Sequence, residues 1–156
     1  MNREKFVSSL VSAALGQVGK REVGHNGGSA VRAYQSATYL APGDWPWCAA
    51  FVCWCFRAAS LSCPVDFKLP VTPRAYGFEA WGRSNWNLIE SPSSILRGDL
   101  VIYEISHIGI AVRDSVEGRF LTVEGNTNPA GSREGDGVYQ RERGLSFVRS
   151  IVRMKS

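Results

Sequence analysis

Cys48 is the residue in this chain that packing explains least. It follows Trp45-Pro46-Trp47 and opens the run CAAFVCWCFRAAS, residues 48 to 60, which is apolar nearly all round and reads as a central buried helix. Pro46 breaks the chain just before it, so the thiol falls in the first helical turn. Unpaired N–H groups and the positive end of the helix dipole favour a thiolate there. Ala49 and Ala50 are small enough to let a substrate backbone come close. The other cysteines, Cys53, Cys55 and Cys63, crowd into the same segment with spacings that match no paired zinc pattern. Cys53 and Cys55 read as small buried apolar residues, with a redox pair as the alternative.

A nucleophilic thiol needs a base, and the chain holds two histidines. His25 lies in a loop rich in glycine and asparagine, where a solvated or turn-stabilising role is expected. His107 opens His107-Ile108-Gly109-Ile110-Ala111-Val112. Strand alternation puts His107, Gly109 and Ala111 on one face and the branched residues on the other. The face with minimal side chains is expected to leave room for the Cys48 helix. A third group should orient the imidazole. Glu124 and Asn126, in Val123-Glu124-Gly125-Asn126, fall on one face unless Gly125 bends the strand, and either could accept the ring N–H.

The elements that must position these groups follow from periodicity. Phe6, Leu10, Ala13, Ala14 and Val18 line one face of a helix from about Arg3 to Gly16 or Gln17, which reads as an amphipathic helix of the domain and not as a signal peptide. Ser29 is expected to cap a short helix over residues 29–37, and Thr72 another over residues 72–81 with Pro73 in its first turn. Strands are expected at 100–103, 107–113, 120–124, 137–143 and 147–153. Helices first and an antiparallel sheet afterwards make an α+β fold, expected as one domain over residues 1–156 with no separate wall-binding module.

Composition agrees with such a domain. Of 156 residues, 44% are apolar and 21% charged, and no apolar run approaches the roughly 20 residues of a membrane span. The net charge of +4 comes from scattered lysines and arginines, which argues against a nucleic-acid groove and suits approach to anionic polymers. Of the tryptophans at 45, 47, 81 and 86, Trp47 is the best candidate to line a substrate groove because it adjoins Cys48. Tyr103 and Arg133 are further substrate-binding candidates, and Gln35 or Asn126 could supply an oxyanion donor.

Taken together, Pro46-Trp47-Cys48-Ala49-Ala50-Phe51-Val52, Gly98-Asp99-Leu100-Val101 leading to His107-Ile108-Gly109-Ile110, and Val123-Glu124-Gly125-Asn126 resemble the CHAP family of cysteine, histidine-dependent amidohydrolases and peptidases, relatives of the NlpC-type cell-wall peptidases. The likeness covers about residues 5 to 150. It implies a papain-like architecture, a catalytic set of Cys48, His107, Glu124 and Asn126, and cleavage of an amide bond in peptidoglycan, as in endolysins and interbacterial effectors. Ser106 departs from the pattern, standing where many relatives have glycine. Asp44 stands nearly alone before the cysteine, with no DxDxDG run, so neither a metal nor a cofactor is expected.

The implied enzyme is a monomer made in the cytoplasm and acting at the periplasm or cell wall. It would rely on a holin or secretion machinery for passage and could face an immunity protein. The competing expectations are a papain-like effector acting on a protein substrate and a catalytically silent binding module.

Overall fold

In the computed structural model, which describes residues 1–156, an antiparallel six-stranded sheet carries helices against one face. The fold is α+β, with four helices. Helix α1, Arg3–Leu15, is capped by Asn2, whose side chain accepts from Lys5 N at 2.9 Å, and buries Phe6, Leu10, Val11 and Ala14. Helix α2 is Ser29–Gln35. Its cap is Gly28, at φ +98°, and Ser29 is the first helical residue with no capping bond, unlike the cap expected from its type.

Helix α3, Cys48–Ser62, is the buried core helix that its composition predicts. Helix α4, Gly77–Asn85, starts five residues later than Thr72 suggested. The Thr72 hydroxyl accepts from Arg74 N at 3.2 Å and closes a local turn, the alternative that threonine always offers to helix capping. No helix is long and apolar enough to cross a membrane.

The strands are β1 Asn87–Glu90, β2 Leu100–Tyr103, β3 His107–Ala111, β4 Arg119–Thr127, β5 Gly137–Gly144 and β6 Val148–Arg153, in the sheet order β1-β6-β2-β3-β4-β5. Strand β1 was not expected: four half-exposed residues become a strand only by pairing with β6 at the sheet edge. Gly98-Asp99 has a structural task, since the buried Asp99 carboxylate accepts from Leu96 N and from the Arg153 guanidinium at 2.9 and 2.7 Å.

The sheet's two faces bury different things. Leu100, Ile102, Ile108, Ile110, Val123, Val138 and Val152 join the main core with α1 and α3, while Val101, Tyr103, Ala111, Phe120 and Ile151 close a smaller core with Ile95 on the other face. The branched face of β3 is therefore the one that meets the helices, the reverse of the expectation. The helix closes on β4 as well. A Cβ on Gly125 would sit 2.7 Å from Phe51 Cβ and 2.9 Å from Trp47 Cζ3, so only glycine fits beneath α3.

The small face of β3 serves the acid. A Cβ on Gly109 would lie 2.7 Å from Glu124 Cγ and 3.2 Å from Thr122 Cβ, and its absence lets the Glu124 side chain cross β3 toward His107.

Candidate active site

Cys48 is the first residue of α3, and its neighbour Trp47, the cap residue, makes no side-chain capping bond. The first intrahelical bond runs from Phe51 N to Trp47 O at 2.9 Å. No cap side chain therefore takes up the N–H groups of the first turn, the turn that Cys48 opens. The loop that delivers Cys48 is stapled from below. Gln35 Nε2 donates to Gly43 O and Trp45 O at 2.8 and 3.1 Å, and its Oε1 accepts from Gly43 N at 3.2 Å.

His107 enters β3 from a tight turn. Ser106 sits at φ +56°, the left-handed region that glycine adopts without strain. Tyr76 holds this turn, its hydroxyl donating to Glu104 O at 2.6 Å and accepting from Ser106 N at 3.2 Å. The imidazole is fully buried and stacks on Tyr103 at 5.9 Å between centroids. Its Nε2 lies 2.9 Å from Glu124 Oε1. An N–H pointed at a carboxylate fixes that tautomer and leaves Nδ1 as the free nitrogen, with no other hydrogen-bond partner. Burial alone would lower the pKa of this imidazole, but the adjacent Cys48 sulfur and then the Glu124 carboxylate raise it to about 9.

Glu124 is the most heavily bonded side chain in the site. Besides His107, it accepts from Arg143 Nε and Nη2 at 2.7 and 2.6 Å, from Thr122 Oγ1 at 2.6 Å and from Tyr103 Oη at 3.1 Å. Burial pushes its pKa up, and Arg143 and His107 outweigh that and hold it at about 2. The Arg143 guanidinium lies 4.7 Å over the Tyr103 ring and also donates to Gly131 O at 3.0 Å. A buried carboxylate gripped by a bidentate guanidinium and two hydroxyls is a rigid orienter for the imidazole.

Several expected site residues do other work. Tyr103 is buried, its hydroxyl faces Glu124 and Thr122, and it is not among the residues that line the cleft, so it supports the acid. Trp47 is fully buried against Tyr34, at 5.6 Å, with its indole N–H on Glu22, and belongs to the core. Gln35 has spent its amide on the 43–45 loop and is not available to an oxyanion.

Asn126 falls in the bulge that Gly125 opens, at φ +56°, and does not accept the His107 N–H; both polar atoms of its buried amide are without partners. Trp81 and Trp86 join an aromatic cluster with Phe56 and Phe67 in the main core. Cys53 and Cys55 are buried, and burial pushes the Cys53 thiol up to about 12 and the Cys55 thiol well above its usual range, which disfavours the thiolates that redox or nucleophilic chemistry needs.

Cys48 opens into a cleft of about 440 Å³ whose walls include Trp45, Arg74, Tyr76, Ser106 and Arg133. Arg143 and Thr122 went unnoticed in the sequence. Thr122 shares a strand face with Glu124 and was within reach of the alternation argument. Arg143 stands opposite Phe120 in the β4–β5 register, so no spacing points from it to Glu124. Compared with protein-family models, with curated proteins and with solved structures, the chain matches none.

Proposed function

We propose that this chain is a papain-like cysteine amidase or peptidase that cuts an amide bond of bacterial cell-wall peptide. The observation that carries the chemistry is one alignment. A helix-start thiol lies beside the free nitrogen of an imidazole whose other nitrogen is fixed on a buried, guanidinium-held carboxylate, and the thiol opens to a cleft. The wall as target rests on the likeness to the CHAP family, carried by the motifs around Cys48, His107 and Glu124, and on the basic net charge.

In the reaction, the Cys48 thiolate, paired with the His107 imidazolium, attacks the scissile carbonyl. The tetrahedral oxyanion meets the Cys48 N–H at the positive end of α3, a donor of a kind worth about 3 kcal/mol. His107 gives its proton to the leaving amine as the C–N bond breaks, leaving a thioester. His107 then takes a proton from water, whose oxygen attacks the thioester, and the returning thiolate recovers the imidazolium pair. Glu124 keeps Nδ1 directed at sulfur throughout and stabilises the cation. Asn126 has no step in this scheme.

The test is incubation of the protein with purified sacculi, followed by mass spectrometry of released muropeptides. Cleavage should produce one new amine and one new carboxyl group per event, and Cys48→Ala should produce neither. Absence of any new amine with the wild-type protein would turn the search toward protein substrates.

A further inference from the structure

The cleft in front of Cys48 has sorted its charges. Trp45 and Arg133 line it, yet their chain neighbours Asp44 and Glu134 turn away to meet His25, Asp44 Oδ1 at 2.7 Å from Nδ1 and Glu134 Oε2 at 3.8 Å from Nε2. Ten residues line the cleft; two of them are arginines and none is acidic. Arg143, Arg149 and Arg153 each hold a carboxylate, whereas Arg74 and Arg133 form no ion pair with any residue of the chain. The remaining walls, Leu40, Trp45, Pro46, Pro73 and Ala75, are largely apolar, and the Tyr76 hydroxyl is engaged by backbone.

A substrate approaching the thiol therefore meets two free guanidinium groups on a greasy floor. The planar fork of each matches a carboxylate better than any neutral group. The loop that carries Arg133 is fixed as well, because Arg143 Nη2 bonds Gly131 O while gripping Glu124. We propose that Arg74 and Arg133 are specificity residues that bind free carboxylates flanking the scissile amide, so that the substrate is an acidic peptide. This rests on the hydrolase reading above and narrows its substrate class.

Matched probes test it: disaccharide-peptides purified from sacculi, and the same material with its carboxyl groups converted to amides by carbodiimide coupling to ammonia. Wild-type protein should cut the carboxylate form with kcat/KM about tenfold above the amide form, the scale of a hydrogen bond to a charged group. Most of the difference should lie in KM, and it should shrink in high salt. The double variant Arg74→Gln/Arg133→Gln should bring the two forms level by raising KM for the carboxylate form, while Arg74→Lys/Arg133→Lys should restore part of the preference. Both arginines are exposed, so the melting temperature reports whether the variants fold. Equal cleavage of both forms by wild type, or a preference that survives in the glutamine variant, overturns the inference and leaves the hydrolase reading standing. Cleavage of neither form by wild type overturns that reading and the inference with it.

Discussion

Replacing Arg143 with methionine tests the site at its least visible support. The change keeps most of the side chain's apolar stem and removes both hydrogen bonds to Glu124, whose side chain is 0% exposed. What remains on the carboxylate is His107, Tyr103 and Thr122, while burial continues to oppose the charge. Breaking a buried pair from one side costs about 3 kcal/mol. In a chain of 156 residues that is a fall in melting temperature of about 6–12 °C at pH 7.

The pH dependence gives this prediction its sign. Glu124 titrates near 4.5 when unfolded and near 2 when folded, so its contribution is present above pH 4.5 and fades as pH falls toward 2. The gap between wild type and Arg143→Met should therefore narrow through that window in thermal melts. The double variant Glu124→Gln/Arg143→Met should recover part of the loss, because no charge is then stranded. A variant that melts within about 2 °C of wild type, or a gap that stays constant down to pH 2, would refute the claim that Arg143 holds the carboxylate ionised.

Four further outcomes follow from the same geometry. Iodoacetamide at neutral pH should modify Cys48 alone in the native protein and all four cysteines after denaturation, because Cys53, Cys55 and Cys63 are buried away from the cleft; peptide mapping counts the adducts. Cleavage should persist to about pH 9 and fall above it, since the raised pKa of His107 keeps the imidazolium to that point; the stability this brings is complete below pH 6.5 and is lost as pH rises from there to about 9. Glu124→Gln should move the alkaline limb of kcat/KM down by at least about one unit. Gly125→Ala should destabilise the fold by about 2 kcal/mol in urea titration, by forcing α3 off β4 at Phe51 and Trp47.

The contrast between α3 and α4 shows what local sequence carries. Helix α3 has one meaning at every scale: a proline before it, an all-round apolar run and a buried location. For α4 the local signal is divided, because Thr72 can cap a helix or close a turn with Arg74, and packing of Phe78 and Trp81 against the core decides where the helix starts. Strand β1 has no signal of its own and exists as the partner of β6. In the candidate site, Cys48 and His107 each open an element and Glu124 stands just before the bulge of β4, each with a chemistry that packing alone does not explain, and the structure brings the three together. Trp47, Tyr103 and Gln35 were misread because the same residue types build clefts and cores, and only three-dimensional neighbours tell the two apart.

The reversal of β3 carries the larger physical lesson. Alternation correctly divides His107, Gly109 and Ala111 from Ile108 and Ile110, but it does not say which side receives the helix. A helix needs a broad apolar surface, which the isoleucines supply, and so α3 takes their face. That leaves the glycine opposite β4, where the missing Cβ admits the Glu124 side chain, and puts the acid, Thr122, Tyr103 and Arg143 together behind the imidazole. The space beside His107 is thus filled by the group that orients it. Cys48 comes beside the other ring nitrogen where α3 begins, next to the point at which β4 gives way at Gly125. Replacing Gly109 with alanine would leave the core intact and displace the carboxylate, and for that reason the glycine belongs to the site as firmly as the residues that carry charge.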